Sequence, residues 1–322
     1  MNAVVEQALV LWDMTDAAYR LIAARENQVF RVDHGDRSFA MRLHRKGYRT
    51  DSELRSELQW MDAVAQGGVH VPNPIPSRSG AFLHVVDGYQ IDILTWLSGA
   101  PVGKTGAALK LSDRTGLFHK IGQEMARLHA ISDVWTPPQG FVRCSWDRKG
   151  LLGPSPLWDR FWDNPTLNDS DRALFTELRQ VADTMLARIE EDLDFGLIHA
   201  DLVRENVMLD GDRVQLIDFD DAGFGFRLFD LATTLIKNMR EEDYPDLHDA
   251  LIVGYRSVRD IDLSELELFI VLRSATYVGW IITRMDEDGA KLRNDRFIRT
   301  TRDLARDYLA RVSGRSTHRN GT

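Results

Sequence analysis

Cysteine is nearly absent: Cys144 is the only one in 322 residues. No intramolecular disulfide can staple the fold, and a reducing cytoplasmic setting suits it. Positive charge is also scarce. Forty Lys and Arg face 49 Asp and Glu, a formal net charge of −9, whereas neutralising nucleic-acid phosphates takes clustered cations. A nucleic-acid partner is therefore not expected. Long apolar runs are missing too: residues 266–283 are interrupted by Glu267 and Arg273, and the first twenty residues show no basic start followed by an apolar stretch. Neither a membrane partner nor an export signal is expected. The chain lacks G-x-G-x-x-G, and its Gly103-Lys-Thr is no Walker A loop, because the residue five before Gly103 is Ser98. With 43% hydrophobic and 28% charged residues, the composition is that of an ordinary globular protein able to build a large core and two lobes.

What is present is concentrated in His199-Ala-Asp201-Leu-Val-Arg-Glu-Asn206, followed by Val-Met-Leu, a short turn and Val214-Gln-Leu-Ile-Asp218-Phe-Asp220. An Asp and an Asn separated by four residues fit one tight loop, with Asp201 directed at an incoming hydroxyl and Asn206 turned toward a metal. Asp218 ends an apolar run that reads as a strand. A hard cation such as Mg²⁺ takes few protein oxygens and keeps its other positions for phosphate and water, so one Asn and one Asp suffice. The order is that of the protein-kinase pattern, H-R-D-x-x-x-x-N and then D-F-G. Ala200 stands in place of its Arg, and Asp218-Phe-Asp220 in place of D-F-G. Taken singly, such acids are most often caps or turn formers; together at this spacing they point to phosphoryl transfer.

These residues resemble the aminoglycoside phosphotransferase-like family, which includes choline, homoserine and hydroxylysine kinases and a bacterial stress-response Ser/Thr kinase. His199-Ala-Asp201 through Asn206 looks like the family's H-x-D-x-x-x-x-N loop, Ile217-Asp-Phe-Asp-Asp-Ala-Gly223 like its metal-binding segment, and Phe229-Asp230-Leu-Ala-Thr like its D-[IL]-A helix start. The resemblance implies an α+β, two-lobed protein-kinase-like fold with a small β-rich N-lobe and a larger, mainly α-helical C-lobe. It implies ATP and Mg²⁺ as cofactors, Asp201 as catalytic base, Asn206 and Asp218 as metal ligands, and His199 and Asp230 as support beneath the loop. Arg42 in Phe39-Ala-Met-Arg-Leu43 takes the place of the strand lysine facing the nucleotide phosphates, with Glu57 as its partner. Arg45 and Lys46 are the alternative cations, and Glu53 the alternative partner. Arg keeps the charge, but its planar fork is not interchangeable with an ammonium. Asn27, in Glu26-Asn-Gln-Val-Phe30, sits where the family crosses above the nucleotide, and Leu94 to Leu97 form the hinge facing adenine.

Along the chain, residues 2–21 read as a leading helix. Residues 28–32 and 38–43 alternate with strand period around His34-Gly-Asp-Arg37, and 82–86 and 89–94 flank Asp87-Gly88, so each pair reads as a β-hairpin. Residues 51–65 between them have helical spacing, capped by Thr50 or Asp51. The break between lobes falls in residues 98–106, giving an N-lobe of 1–97, a C-lobe of 98–312 and a tail, 313–322, expected to be disordered. Residues 117–131 form a helix with His129 in its core, 169–190 and 241–311 are helical, and 137–162 form a long loop. Its Trp146, Trp158 and Trp162 anchor it or line a substrate pocket. The expected function is transfer of the γ-phosphoryl group of ATP to a hydroxyl of a small amino alcohol or hydroxy amino acid. Such acceptors dominate the resembled family, and Glu205, Asp220 and Asp221 ring the loop. A stress-response type Ser/Thr protein kinase and an inactive nucleotide-binding scaffold are the alternatives.

Overall fold

The computed structural model describes residues 2–24 and 27–319, with side chains as far as Gly314; Glu26 of the expected crossing lies outside the described residues. Helix α1 (Asn2–Leu11) stops well short of residue 21. Asp13 takes the left-handed conformation (φ 57°) just past its end, which closes a helix. Residues Ala18–Ala24 are instead strand β1, paired antiparallel with β2 (Gln28–His34), so edge pairing overrides their helix-friendly composition.

Strands β2 and β3 (Arg37–Leu43), then β4 (Leu83–Val86) and β5 (Tyr89–Thr95), are the two expected hairpins. Asp87 and Gly88 both have positive φ (50° and 73°), as a type I′ turn requires. The five strands form one antiparallel sheet in the order β1-β2-β3-β5-β4. Alternation decides its two faces. Phe30, Val32, Phe39, Met41, Leu43, Ile91 and Ile93 pack with Val5, Ala8 and Leu9 of α1, which leaves Arg42 and Asp92, directly opposite each other across β3 and β5, on the other face.

Helix α2 (Asp51–Gln66) opens with a capping box: Thr50 Oγ1 accepts the Glu53 N–H, and the Glu53 carboxylate accepts the Thr50 N–H. Its inward residues Leu54, Leu58, Trp60 and Met61 belong to the large core shared with the helical region, and Trp60 Nε1 donates to Ser132 Oγ at 2.9 Å. The apolar core therefore crosses residue 97.

The second half begins with β6 (Ala100–Pro101) and α3 (Arg114–Val134). The Trp-rich stretch is more structured than a loop: it contains β7 (Ser145–Trp146), α4 (Arg148–Leu152) and a 3₁₀ turn at Phe161–Asp163. Trp146 is its anchor, only 1% exposed, stacked on Phe229 with ring centres 5.1 Å apart and donating to Asp221 O at 2.8 Å. Helix α5 (Asp169–Ile189) leads to β8 (Phe195–Ile198), the hairpin β9 (Val207–Asp210) and β10 (Arg213–Leu216), then β11 (Gly223–Phe226). Helices α6 (Arg227–Ile236), α7 (Tyr244–Arg256), α8 (Leu266–Trp280) and α9 (Ala290–Arg319) complete the fold. The tail expected from residue 313 continues α9 through Arg319; residues 320–322 lie outside the described residues. Among the described residues, one stretch, Leu266–Arg284, is long and apolar enough to cross a bilayer, and 72% of it is buried inside the fold.

Candidate active site

Strand β8 delivers His199 to the middle of the molecule, where the chain reverses sharply. Ala200 (φ 64°) and Asp218 (φ 70°) both lie in the left-handed region, which Asp tolerates and which costs Ala roughly 1–2 kcal/mol. Such strain persists where the surroundings over-determine it. Asp230, fully buried in the first turn of α6, supplies that constraint. Its Oδ1 accepts the Ala200 N–H at 2.6 Å, and its Oδ2 accepts the His199 N–H at 2.9 Å and His129 Nε2–H at 3.0 Å. His129 is neutral, because burial and then Arg227 hold its pKa at about 4, and its Nδ1 accepts from the Tyr255 hydroxyl. His199, its pKa lowered chiefly by burial, reaches Ile217 O through Nε2 at 3.0 Å and so ties the loop to the segment carrying Asp218.

Around this turn the three expected reactive side chains come together. Asn206 Nδ2 donates to both the backbone oxygen and Oδ2 of Asp201, each at 2.9 Å. Arg273 Nη2, from α8, donates to Asp201 Oδ1 at 2.7 Å. With its nitrogen so engaged, Asn206 presents its oxygen, and Asp218 makes no hydrogen bond or ion pair among the described residues. Asp218 keeps exposed surface, yet desolvation by the protein around it, then Asp220, Asp201 and Asp221, push its carboxyl well above its usual range. Burial, then Asp201 and Asp220, raise Asp221 to about 6. Carboxylates crowded in this way favour a cation beside them. The donor set fits a hard one: an amide oxygen and a carboxylate, with the remaining positions for phosphate and water. Among the described residues, no group of three or more His, Cys, Asp or Glu forms a metal cage by itself.

On the sheet side, Arg42 is held in a fork. Its Nε and Nη2 donate to the two Asp92 oxygens at 2.8 and 2.9 Å, and its Nη1 to Glu57 Oε1 at 2.8 Å. Burial alone would disfavour the charge, but Asp92, Glu57 and Asp220 keep the guanidinium firmly protonated. Asp92, held down to about 2 by Arg42 and His44 against the opposing effect of burial, also meets His44 Nε2 at 2.6 Å. Glu57 takes a second cation, Arg143, which also donates to Phe219 O, Asp220 O and Ala222 O and fixes the segment that follows Asp218 from outside. The alternatives are otherwise engaged. Glu53 closes its capping box, Lys46 lies over the Tyr89 ring at 3.8 Å, and Arg45 lies over Tyr48. Asn27 Nδ2 donates to Asp220 Oδ2 at 2.9 Å, tying the residue just before β2 to the same segment. Leu94 is still inside β5 and buried in the large core, while Leu97, beyond the strand, is half-buried.

The acids expected to ring the loop have protein partners. Glu205 is taken by the Thr105 N–H and hydroxyl at 2.6 and 2.9 Å, Asp220 by Asn27 and, at 3.7 Å, Arg42, and Asp221 by Arg49 at 3.7 Å. Sequence reasoning did not single out Asp92, Arg143, Arg273 or Lys237. Alternation about Arg42 placed a strand acid within reach for Asp92, but the other three carried no local signal.

The fold and this constellation define a kinase-type phosphotransferase. Residues 19–269 match the model of the phosphotransferase enzyme family, and the chain belongs to that family; it is an ATP-dependent kinase with the two-lobed α+β fold expected from the sequence. An uncharacterized protein of Deinococcus radiodurans is 30% identical over 295 residues, covering 87% of this chain and 81% of the relative. A homoserine kinase of Agrobacterium fabrum is 27% identical over 238 residues, 73% of this chain and 69% of that enzyme. Among solved structures, a microcompartment-associated aminopropanol kinase is 29% identical with a TM-score of 0.82, covering 96% of this chain and 98% of the other.

Proposed function

We propose that this kinase moves the γ-phosphoryl group of ATP, with Mg²⁺, to a hydroxyl of a small amino alcohol or hydroxy amino acid. The observation that carries the reading is the meeting of Asp201, Asn206 and Asp218 at the strained turn, with one side of that trio bearing uncommitted oxygens. Asp201 orients and deprotonates the acceptor hydroxyl, its carboxylate aimed by Asn206 and Arg273. Asn206 and Asp218 would hold Mg²⁺, whose charge offsets that of the phosphates when bound. Arg42, kept in place by Asp92 and Glu57, faces the nucleotide phosphates, with Asn27 in the crossing above the nucleotide and the segment from Leu94 to Leu97 facing the base. Catalysis of this type is mostly positioning and charge stabilisation. A relative named homoserine kinase and a structural neighbour named aminopropanol kinase support an acceptor of this size.

The test is ATP consumption with Mg²⁺ against amino alcohols, hydroxy amino acids, aminoglycosides and a general Ser/Thr protein substrate. Turnover of a small acceptor supports the reading, and phosphorylation of the protein substrate alone would replace it. In the Asp201→Asn variant, turnover should fall by roughly 10²–10⁴-fold, as for loss of an acid–base group, while calorimetry still records ATP binding. Loss of ATP binding with normal residual turnover would remove Asp201 from this role.

A further inference from the structure

In a chain of net charge −9, two neighbouring cations, Lys237 and Arg296, have no acidic partner among the described residues. The ammonium of Lys237, at the C-terminal end of α6, makes no hydrogen bond and no ion pair among the described residues; its Nζ rests over the Tyr277 ring at 3.5 Å and is 5.7 Å from the centre of Phe297. Tyr277 and Phe297 are themselves stacked, 5.3 Å apart, and form an aromatic floor. Arg296 has no acidic partner among the described residues either: it lies by Gly106 and Phe297, and the like-charged Arg240, Arg293 and Lys237 act on it. The carboxylates that act most on Lys237 are Asp201 and Glu205. The first is committed to Arg273 and Asn206, the second to Thr105.

Two unpaired cations on an aromatic floor, within electrostatic reach of the catalytic carboxylate, form a recognition site for an anion. Holding an ammonium half-buried without a counter-ion is unfavourable: burial and then Arg273 lower the Lys237 pKa to about 7, and a bound carboxylate would relieve that cost. A bare amino alcohol brings a positive charge and no group that could pair with these cations. A phosphate-bearing acceptor would add a second negative charge close to the nucleotide's phosphates. The single negative charge of a carboxylate suits these two cations best.

Resting on the phosphotransfer reading above, we infer that the acceptor carries a carboxylate as well as its hydroxyl, seated on Lys237 and Arg296 while Asp201 takes the hydroxyl proton: a hydroxy amino acid, not an amino alcohol.

Steady-state kinetics with Mg-ATP would compare 2-amino-4-hydroxybutanoate with 3-aminopropan-1-ol, the same skeleton without its carboxylate, and with a hydroxyalkyl phosphate. The acid should have a kcat/KM about 10- to 100-fold above that of the amino alcohol, the size of one charge-assisted contact. Lys237→Met, which keeps the stem, should raise KM for the acid about tenfold or more with much less effect on kcat, and lower KM for the amino alcohol. Lys237→Arg should restore the acid, and Arg296→Gln should move both KM values in the same directions as Lys237→Met. Equal or better use of the amino alcohol or the phosphate by the wild type, or a Lys237→Met effect alike on acid and amino alcohol, overturns the inference and leaves phosphotransfer standing. Turnover of none of the three, with ATP bound, overturns both.

Discussion

Asp230→Asn is the sharpest probe of how the catalytic turn is held. The carboxylate accepts the Ala200 N–H on one oxygen and the His199 N–H on the other. An amide in the same place has one oxygen to offer and turns an NH₂ toward the remaining N–H, donor against donor. Loss of one charge-assisted hydrogen bond costs about 1.5–3 kcal/mol, and a buried N–H left without a partner about 1–3 kcal/mol. Against this, Ala200 becomes free to leave φ 64°, which returns roughly 1 kcal/mol of strain. The net loss should be about 2–4 kcal/mol, read by urea unfolding.

The functional consequence follows from the same geometry. If Ala200 relaxes, Asp201 moves, and a displacement of about 1 Å at the reacting group costs on the order of 10²-fold in turnover. The nucleotide side, built on Arg42, Glu57 and Asp92, touches neither Asp230 nor Ala200, so KM for ATP should change little. Kinetics measured well below the variant's unfolding transition separate the two effects. A variant that lost the stability but kept wild-type kcat would refute loop positioning by Asp230. One that lost less than about 0.5 kcal/mol would refute the hydrogen-bond accounting itself.

Arg42→Lys should behave more like a deletion than a conservative change, because an ammonium cannot occupy both Asp92 oxygens and Glu57 together, and breaking a buried pair costs about 3–5 kcal/mol; denaturant titration of the Lys and Ala variants would show both losses, and a Lys variant as stable as wild type would show that the fork is dispensable. The pH dependence of kcat/KM for a carboxylate-bearing acceptor should fall above about 7, since Lys237, faced by Arg273, Arg296, Asp201 and Glu205, is a cation below that value and neutral above it; the falling limb should be missing in Lys237→Met, and its persistence there would assign it to another group.

The sequence showed the hairpins because each carries its own turn chemistry and alternation, and α2 because Thr50 and Glu53 mark its start locally. It misled at residues 18–24, where the deciding contact is with β2 and the local composition favours helix. The catalytic loop was legible for a related reason: Asp201, Asn206 and Asp218 sit close enough along the chain for spacing to encode geometry. Arg42 and Glu57 meet across fifteen residues, one on a strand and one on a helix, and their pairing is present. Asp92 sits fifty residues from Arg42, and the β3–β5 register that places them opposite is set by no turn between those strands.

The residues least visible in the sequence, Arg273 and Lys237, lie on helices whose positions depend on packing of the whole second half. Arg273 is read locally as a charge interrupting an apolar run, yet it is fully buried, with its guanidinium 4.5 Å from the centres of both the Trp158 and Tyr277 rings and one nitrogen on Asp201. Its place also gives the site a polarity. Asp218, Asp220 and Asp221 crowd Asp201 with like charge, while Lys237, close to Arg296 and Arg273, brings positive charge to it. A zwitterionic acceptor placed in that field is oriented before any contact closes, its ammonium drawn toward the acids and its carboxylate toward the cations. A choline-like cation offers the acids its ammonium but gives Lys237 and Arg296 nothing to pair with, and an aminoglycoside with several ammonium groups would meet them unfavourably. Discrimination among acceptors then rests on unpaired charge as much as on shape, which is the more economical means when the competing molecules differ by one carboxylate.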